Sequence, residues 1–577
     1  MTTLKNFIDG KFVDNASNQT MSFENPAIGE KYGTAPLSRE VDVDKAFKAA
    51  SRAFDSWKRT SPAERSLALF RIAESMEARA EEIIAAEIQN TGKPLWWMRD
   101  AEFPQCVDHT RFHATLARNL PGWSTGEYLT GYDSTVRREP VGVCAQVAPW
   151  NYPLLMAVWK FAPALAMGNT IVLKPSDTTP HTASIMAEIF AEHLPAGVVN
   201  IIYGDRDTGR AMVAHKRPDL VSITGSVRAG IEIAQNAAPD LKRLHLELGG
   251  KAPVIVYDDC NFEKSVQGVA EANLYNAGQD CAAGTRVLVQ EGIAKEFTAA
   301  LAKKVAEYKF GKPENDENFY GSLNSQNQLD RVQGFIDRLP AHAEILTGGK
   351  SHRLNGGYYF EPTLVAGLKQ NDEMIQNEVF ASVQTIQTFK DEAQAVELAS
   401  DVAYGLAASI WSENHGRIIR TSQDLDFGQV WVNCHLVQAA EMPNGGFKHS
   451  GHGNDLSSEA IPIAGNLLEN AFTSSDSWTR FQTRLEKRRQ FTVALDHQIK
   501  ALTVLSLWVN TKIMHGSLTD VNSLTRRDVL NLVRQEGCVE VSHTMVKPSK
   551  LSQQSEYPAW KKQMRIHLDS TLNKEFL

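Results

Sequence analysis

From Val141 onward, short apolar runs alternate with helical patterns, and the same alternation resumes after residue 250; these two observations predict an α/β protein with parallel sheets. No segment recurs at a period of roughly 20 to 50 residues, which sets aside solenoids and propellers. The elements follow in order. Phe7-Ile8-Asp9-Gly10-Lys11-Phe12-Val13 reads as two short strands about an Asp-Gly turn, which needs positive φ. Val41–Trp57 and Pro62–Asn90 place apolar residues at three- and four-residue intervals, each predicting one helix, with Ser61-Pro62 as a start and Thr91-Gly92-Lys93-Pro94 as a stop. Thr130–Pro140 is polar and β-prone and suits an arm or a surface hairpin. The runs at Gly142–Val147, Thr170–Leu173, Val198–Ile202 and Leu220–Ile223 give the first sheet. Those at Pro253–Val256, Arg286–Val289, Ser409–Trp411 and Gln429–Val432 give a second.

The 577 residues are enough for three or four cores, and 42% hydrophobic with 22% charged residues excludes a disordered or fibrous chain. A net charge of −8 offers no general attraction to nucleic acid or anionic membrane, so neither is expected as a partner. Six scattered cysteines, without a CxxC pair or clustered histidines, suggest a reducing compartment and no metal site. The N-terminus lacks a basic region followed by an apolar one, which makes the cytoplasm the expected location. In the tail, Ala501–Val509 is about half of a membrane span. Residues 461–577 hold 16 Lys+Arg against 11 Asp+Glu, or +5, whereas the preceding residues total −13. The last fifth therefore differs in kind from the rest.

Several segments carry groups suited to chemistry. Asn276-Ala277-Gly278-Gln279-Asp280-Cys281 presents a thiol among small residues, open to close approach, although a lone cysteine reads equally as a small core residue. Leu246-Glu247-Leu248-Gly249-Gly250-Lys251 sets a carboxylate between apolar neighbours, where desolvation favours a general base; a surface glutamate at a strand end is the plainer reading. Pro149-Trp150-Asn151-Tyr152-Pro153 holds an amide at a strand end, a donor for an oxyanion or simply a Pro-bracketed turn. Ile223–Gly230 passes from a strand through Gly225 and Ser226 into a helix, a phosphate-binding arrangement, and Lys174-Pro175-Ser176-Asp177 ends another strand with groups that grip a ribose.

Taken in this order, the segments resemble the aldehyde dehydrogenase superfamily over residues 5 to 458, with further matches at Glu361-Pro362-Thr363, Glu378-Val379-Phe380, Trp431-Val432-Asn433 and Pro443–Gly451. Trp150–Lys160 and Gly278–Cys281 look most like the aminoaldehyde branch, especially 4-aminobutyraldehyde dehydrogenases. The resemblance implies a Rossmann-like NAD-binding domain at 1–119 and 139–249, an oligomerisation hairpin at 120–138 and an α/β catalytic domain at 250–458, followed by an atypical tail at 459–577. It implies Cys281 as the nucleophile, Asn151 as oxyanion donor and Glu247 as the base that activates water. NAD would lie against Trp150, Lys174, Ser176, Asp177, Gly225, Ser226, Gly230, Glu378 and Phe380, and Asp177 would disfavour a 2′-phosphate. For the substrate, 4-aminobutyraldehyde or a related aminoaldehyde is expected, with Asp280 attracting the ammonium, Tyr152 and Trp159 as aromatic walls and Asp108 assisting. Betaine aldehyde, a general aliphatic aldehyde, or an inactive binding protein of the same fold are the alternatives.

The chain departs from the family pattern at Ala381-Ser382, where relatives carry Gly-Pro, and at Ser322, which would weaken the cofactor loop. From about Glu459 the residues are unrelated to the family, so its arm strand is expected to be lost and the family's homo-oligomer cannot be assumed. Within the tail, Trp478–Thr511 and Ser523–Gln535 have helical spacing, and Lys487-Arg488-Arg489 reads as a solvated helix face.

Overall fold

The computed structural model describes residues 1–120 and 124–473. The expected tail helices over 478–511 and 523–535 lie outside the described residues. One compact unit comprises residues 1–123 and 136–468 and carries two large sheets. In the first, strands β1 (Asn6–Ile8) and β2 (Lys11–Val13) form the expected hairpin about Asp9 and Gly10, at φ 55° and 75°. They are followed by β3 (Val143–Val147), β4 (Thr170–Lys174), β5 (Val199–Ile201), β6 (Leu220–Gly225) and β7 (Arg243–Leu248). The second sheet holds β8 (Ala252–Val256), β9 (Gly284–Gln290), β10 (Glu344–Thr347), β11 (Thr363–Ala366), β12 (Val383–Phe389), β13 (Ala407–Trp411) and β14 (Gln429–Val432). A short β15 (Gly451–His452) returns to pair antiparallel with β7.

The first sheet runs β15-β7-β6-β3-β4-β5-β1-β2, parallel from β7 to β5. Chain order reverses between β3 and β6, so the loops leaving these two strands flank a crevice, the usual ligand position in an open α/β sheet. The second sheet runs β10-β11-β12-β9-β8-β13-β14 and is parallel except at β10. Only residues 249–251 separate β7 from β8, so the C-terminal edge of one sheet meets the N-terminal edge of the other.

Helix packing explains the core. Helix α1 (Glu40–Trp57) covers β4, whereas the pattern over 62–90 resolves into α2 (Pro62–Ala78) and α3 (Ala80–Thr91). No glycine or proline marks the break. It falls at Arg79, φ −110° and ψ 24°, whose guanidinium binds Glu82 on its own helix and Glu188 on another. Helix α4 spans Phe103–Leu116, and α5 (Pro153–Met167) is buried on every face between α4, α2 and the first sheet. Its apolar circumference fits such a central position, and Pro153 starts it where no N–H is needed. The Glu87 carboxylate, buried on α3, accepts the Leu154 N–H at 3.0 Å and so caps it. Burying side chains such as Val158, Phe161 and Leu165 contributes roughly 1.5–3 kcal/mol each.

In the other unit, the expected arm is a hairpin of strand Gly126–Leu129 and the beginning of Tyr132–Pro140, turning through Gly131 at φ 85°. The expected loss of a terminal strand is corrected. A short helix at Ala460–Ala464 leads into strand Gly465–Thr473, which takes its place in a three-stranded sheet with the two hairpin strands. Among the described residues, no helix is long and apolar enough to cross a membrane.

Candidate active site

The cysteine loop enters the second sheet just before β9. Asn276, Ala277 and Gly278 are all left-handed, at φ 49°, 56° and 71°. That conformation is costly for a residue with a Cβ, and at Gly278 a Cβ would stand 2.1 Å from the Ala381 carbonyl oxygen. Side chains hold the turn. The Asn276 amide donates to the Asn151 carbonyl at 2.9 Å and to the Gln279 carbonyl at 3.1 Å, while the Gln279 amide donates to Asn276 and Ser322 and accepts from the Asn324 N–H. Backbone strain fixed by surrounding bonds is a mark of functional loops.

Cys281 follows, half-buried, and Gly250 permits its approach, because a Cβ there would lie 2.0 Å from the Cys281 carbonyl. Burial pushes the thiol pKa well up, and the neighbouring charges of Asp280, Glu247 and Glu378 push it further. The thiol therefore rests protonated. Next to it, His435 lies 2.8 Å from the Ala282 carbonyl through Nε2 and 2.9 Å from Ser409 Oγ through Nδ1, which steadies the segment after the sulfur.

The first sheet supplies the facing residues. Asn151 leaves the end of β3, is buried, and donates through Nδ2 to the Gln279 carbonyl at 3.1 Å, two residues from the sulfur. Glu247 sits inside β7, not at a surface end. Arg243, His245 and Glu247 share one face of that strand, opposite Leu244, Leu246 and Leu248. Glu247 Oε2 accepts from the Asn444 amide at 3.3 Å, and Oε1 has no hydrogen-bond partner. Burial, and then Asp455, push the Glu247 pKa well up, while Lys160 opposes them. A desolvated carboxyl of this kind holds a proton more tightly than a free one, an environment suited to acid–base work.

The crevice at the reversal point has the groups a dinucleotide needs. Ser226 caps helix α6 (Val227–Ala237), accepting the Ala229 N–H at 3.3 Å, so the helix N-terminus faces outward from the end of β6. A Cβ on Gly230 would stand 2.5 Å from Leu248, which shows how closely that helix lies on β7. Lys174 is buried at the end of β4, Ser176 donates to Asp177 at 3.1 Å, and Asp177 is exposed. Glu378 accepts the Gly250 N–H at 2.8 Å; a Cβ on Gly249 would fall 2.6 Å from its carboxylate, and burial raises its pKa to about 7. Phe380, itself left-handed at φ 63°, meets Trp150 edge-on at 5.2 Å. Open helix end, strand-end acid and glycine-backed carboxylate together fit NAD. Ala381 and Ser382 are buried, and the Ser382 hydroxyl donates to the Phe360 and Glu361 carbonyls, which occupies the position where a rigid proline was missed.

Asp280, Tyr152 and Trp159, expected on the substrate side, are all bonded within the protein. Asp280 is beside Cys281, but its oxygens already accept the Tyr152 hydroxyl at 2.8 Å and the Ala282 N–H at 2.7 Å. The Tyr152 ring has Lys93 Nζ over its face at 4.1 Å, and that ammonium pairs with Glu102 at 2.5 Å, both side chains 1% exposed. Trp159 is buried in the core and its indole N–H donates to His109 at 2.9 Å. Thus neither ring offers an open aromatic wall. Asp108 is exposed on α4, and its neighbour His109 is the residue turned toward Trp159. Lys93, His245, Asn444 and His435 were not singled out from the sequence. Of these, only His245 carried a signal, since it alternates with Glu247 on one strand.

Residues 12–463 match the family model described as the aldehyde dehydrogenase family. The 2-aminomuconic semialdehyde dehydrogenase of Danio rerio is 36% identical over 462 residues, covering 78% of this chain and 94% of that protein. Betaine aldehyde dehydrogenase from Staphylococcus aureus, crystallised with NAD+, superposes with a TM-score of 0.79 at 34% identity, over 82% of this chain and 95% of that one. The aldehyde dehydrogenase KauB from Pseudomonas aeruginosa gives 0.80 at 32%, over 82% and 97%.

Proposed function

The chain belongs to the aldehyde dehydrogenase family and is an NAD-dependent aldehyde dehydrogenase, and from that premise we propose that it oxidises its substrate through a thioester on Cys281. The observation that carries this reading is the junction of the Cys281 loop with Asn151, through the 3.1 Å bond to Gln279, in the same charge environment as Glu247.

Cys281 gives up its thiol proton to water and its sulfur attacks the aldehyde carbon; an S–C bond forms, the C=O π pair moves to oxygen and the carbonyl becomes an alkoxide. Asn151 Nδ2 and the Cys281 N–H hold that oxygen. Trp150, Lys174, Ser176, Asp177, Gly225, Ser226, Gly230, Glu378 and Phe380 hold NAD, which when bound supplies the acceptor for the hydride. Glu247 then takes a proton from water, whose oxygen attacks the thioester; the C–S bond breaks, the sulfur takes that proton from Glu247 to regenerate the thiol, and the acid leaves as carboxylate after losing its proton to solvent. Asn444 keeps the Glu247 carboxyl turned while this occurs.

For the substrate, we propose an ω-aminoaldehyde such as 4-aminobutyraldehyde, its ammonium hydrogen-bonded to Asp280. Betaine aldehyde is the alternative, and the likeness to the betaine aldehyde dehydrogenase of Staphylococcus aureus supports it. The test is NADH formation by the purified full chain with 4-aminobutyraldehyde, betaine aldehyde and hexanal, beside Cys281→Ala. Activity abolished in the variant and a preference for 4-aminobutyraldehyde are expected. A preference for hexanal removes Asp280 from substrate recognition, and turnover by Cys281→Ala removes the thioester.

A further inference from the structure

Behind Glu247 lies a cluster that the proposed reaction does not use in full. His245 and Glu247 are each 4% exposed and Asp455 is 1% exposed. One ligand atom from each lies within 4.8 Å of the other two: His245 Nε2 is 3.8 Å from Glu247 Oε1 and 3.6 Å from Asp455 Oδ1. His245 Nε2 and Glu247 Oε1 have no hydrogen-bond partner among the described residues, and neither has Asp455 Oδ2, the second oxygen of that carboxylate. Leaving such groups unsatisfied in the interior is unfavourable. The sequence shows no metal pattern because β7 supplies two residues and the segment after β15 supplies the third, over two hundred positions later.

We propose that His245, Glu247 and Asp455 form a binding site for a divalent transition metal, with zinc as its best fit, and that the bound ion captures Glu247 and arrests hydrolysis of the acyl-enzyme. One imidazole nitrogen and two carboxylate oxygens are a zinc donor set, with water as the fourth ligand. Zinc bonds of about 2.0–2.2 Å place tetrahedral ligand atoms roughly 3.3–3.6 Å apart; the His245 nitrogen is already near that spacing from both carboxylates, and side-chain rotation brings the two carboxylates, within 4.8 Å of each other, into the set. The outer partners are present. The Ser222 hydroxyl lies 2.8 Å from His245 Nδ1 and, when it accepts the Nδ1 proton, leaves the Nε2 lone pair for the metal, while Asn444 Nδ2 binds the second Glu247 oxygen at 3.3 Å. Asn444 and Asp455 also exchange backbone hydrogen bonds of 2.9 and 2.7 Å. The site borders a cavity lined by Trp159, Lys160, Leu220, Asn454 and Ala464, which gives an ion room to enter. The competitor is the Lys160 ammonium, 3.8 Å from Asp455 Oδ2.

Binding stands apart from the reaction; only its inhibitory effect rests on Glu247 as the base. The full chain carrying Cys281→Ala, so that this thiol takes no zinc, is equilibrated with zinc sulfate and bound metal is counted by mass spectrometry. One zinc per chain is expected, with nitrogen and oxygen but no sulfur neighbours by X-ray absorption. Adding His245→Asn or Asp455→Asn weakens binding by at least about tenfold, and adding Lys160→Met strengthens it. No bound zinc, sulfur ligation, or affinity unchanged in both weakening variants overturns the site; thermal melting confirms that each variant is folded. For the effect, acyl-enzyme is formed first on unmodified Cys281 and then mixed with zinc. Hydrolysis slowed at least about tenfold, restored by chelator and spared in His245→Asn, is expected. Zinc bound at the site without slowing overturns the inhibition and removes Glu247 as the base, while the site itself stands.

Discussion

Replacing Asn151 with alanine separates oxyanion stabilisation from loop integrity. In the resting protein, Asn151 Nδ2 gives one hydrogen bond to the Gln279 carbonyl at 3.1 Å, but that carbonyl also receives Asn276 Nδ2 at the same distance. The Asn276 amide further holds the Asn151 backbone carbonyl at 2.9 Å, a contact the substitution leaves in place. Gln279 therefore stays satisfied, and the stability loss is confined to about 0.5–1.5 kcal/mol for one hydrogen bond. Loss of one of two oxyanion donors, by contrast, costs roughly 2.7–4 kcal/mol in the transition state, or about 10²–10³ in rate. Stopped-flow measurement of the NADH burst reads the second quantity and thermal melting reads the first. Iodoacetamide labelling of Cys281 reports whether the loop has moved. A burst within about threefold of the parent, or a labelling rate that falls by the same factor as the burst, refutes the reasoning.

Glu247→Gln keeps one burst of NADH per chain while steady-state turnover falls about 10²–10⁴-fold, because only the hydrolytic step needs the base; loss of the burst itself would count against that division. Since burial and three carboxylates raise the Cys281 thiol, its alkylation rate without cofactor rises about tenfold per pH unit between about 7 and 9, and a plateau below about 8 would contradict the charge environment described. Lys93→Met strands Glu102 and destabilises the fold by about 3–5 kcal/mol. Burial lifts the Glu102 pKa to about 7, above its unfolded value, so its favourable contribution is complete at acidic pH and is lost as pH rises through the folded value. Melting temperatures of the parent should level off above about pH 7, whereas those of the variant keep falling toward about pH 9, a trend that Glu102→Gln abolishes.

Much of the architecture was visible in the chain. The Asp9-Gly10 turn and the apolar runs from Gly142 onward are local signals; the structure extends five of the eight runs by one to three residues, shortens those at 142–147 and 198–202 and leaves Gln429–Val432 unchanged. The break at Arg79 was not visible, because it answers a carboxylate on a distant helix and not a residue that breaks helices. Nor was the strand around Glu247: Arg243-Leu244-His245-Leu246-Glu247-Leu248 alternates, yet its polar face is inside, contrary to the usual orientation of such a pattern. Resemblance singled out Cys281, Asn151 and Glu247 because their motifs are short and contiguous. The substrate side was less legible, because whether Tyr152 presents a free face depends on Lys93, 59 positions earlier in sequence and 4.1 Å away in space. Asp108 stands exposed on α4 beside buried His109. One step along a helix turns a side chain by about 100°, from the interior to water.

The three-residue link between β7 and β8 has a further consequence. Cys281 rides on one sheet and Asn151 and Glu247 on the other, so their alignment belongs to a seam that neither sheet forms alone. Hydrogen-bonded strands yield only when a whole sheet melts, but a seam can slip by an ångström while both halves keep their structure, and about that much misplacement can cost a hundredfold in rate. Turnover is thus a finer thermometer for this molecule than its circular dichroism. Under gentle heating or dilute denaturant the catalyst fails first, and the protein that remains still looks folded.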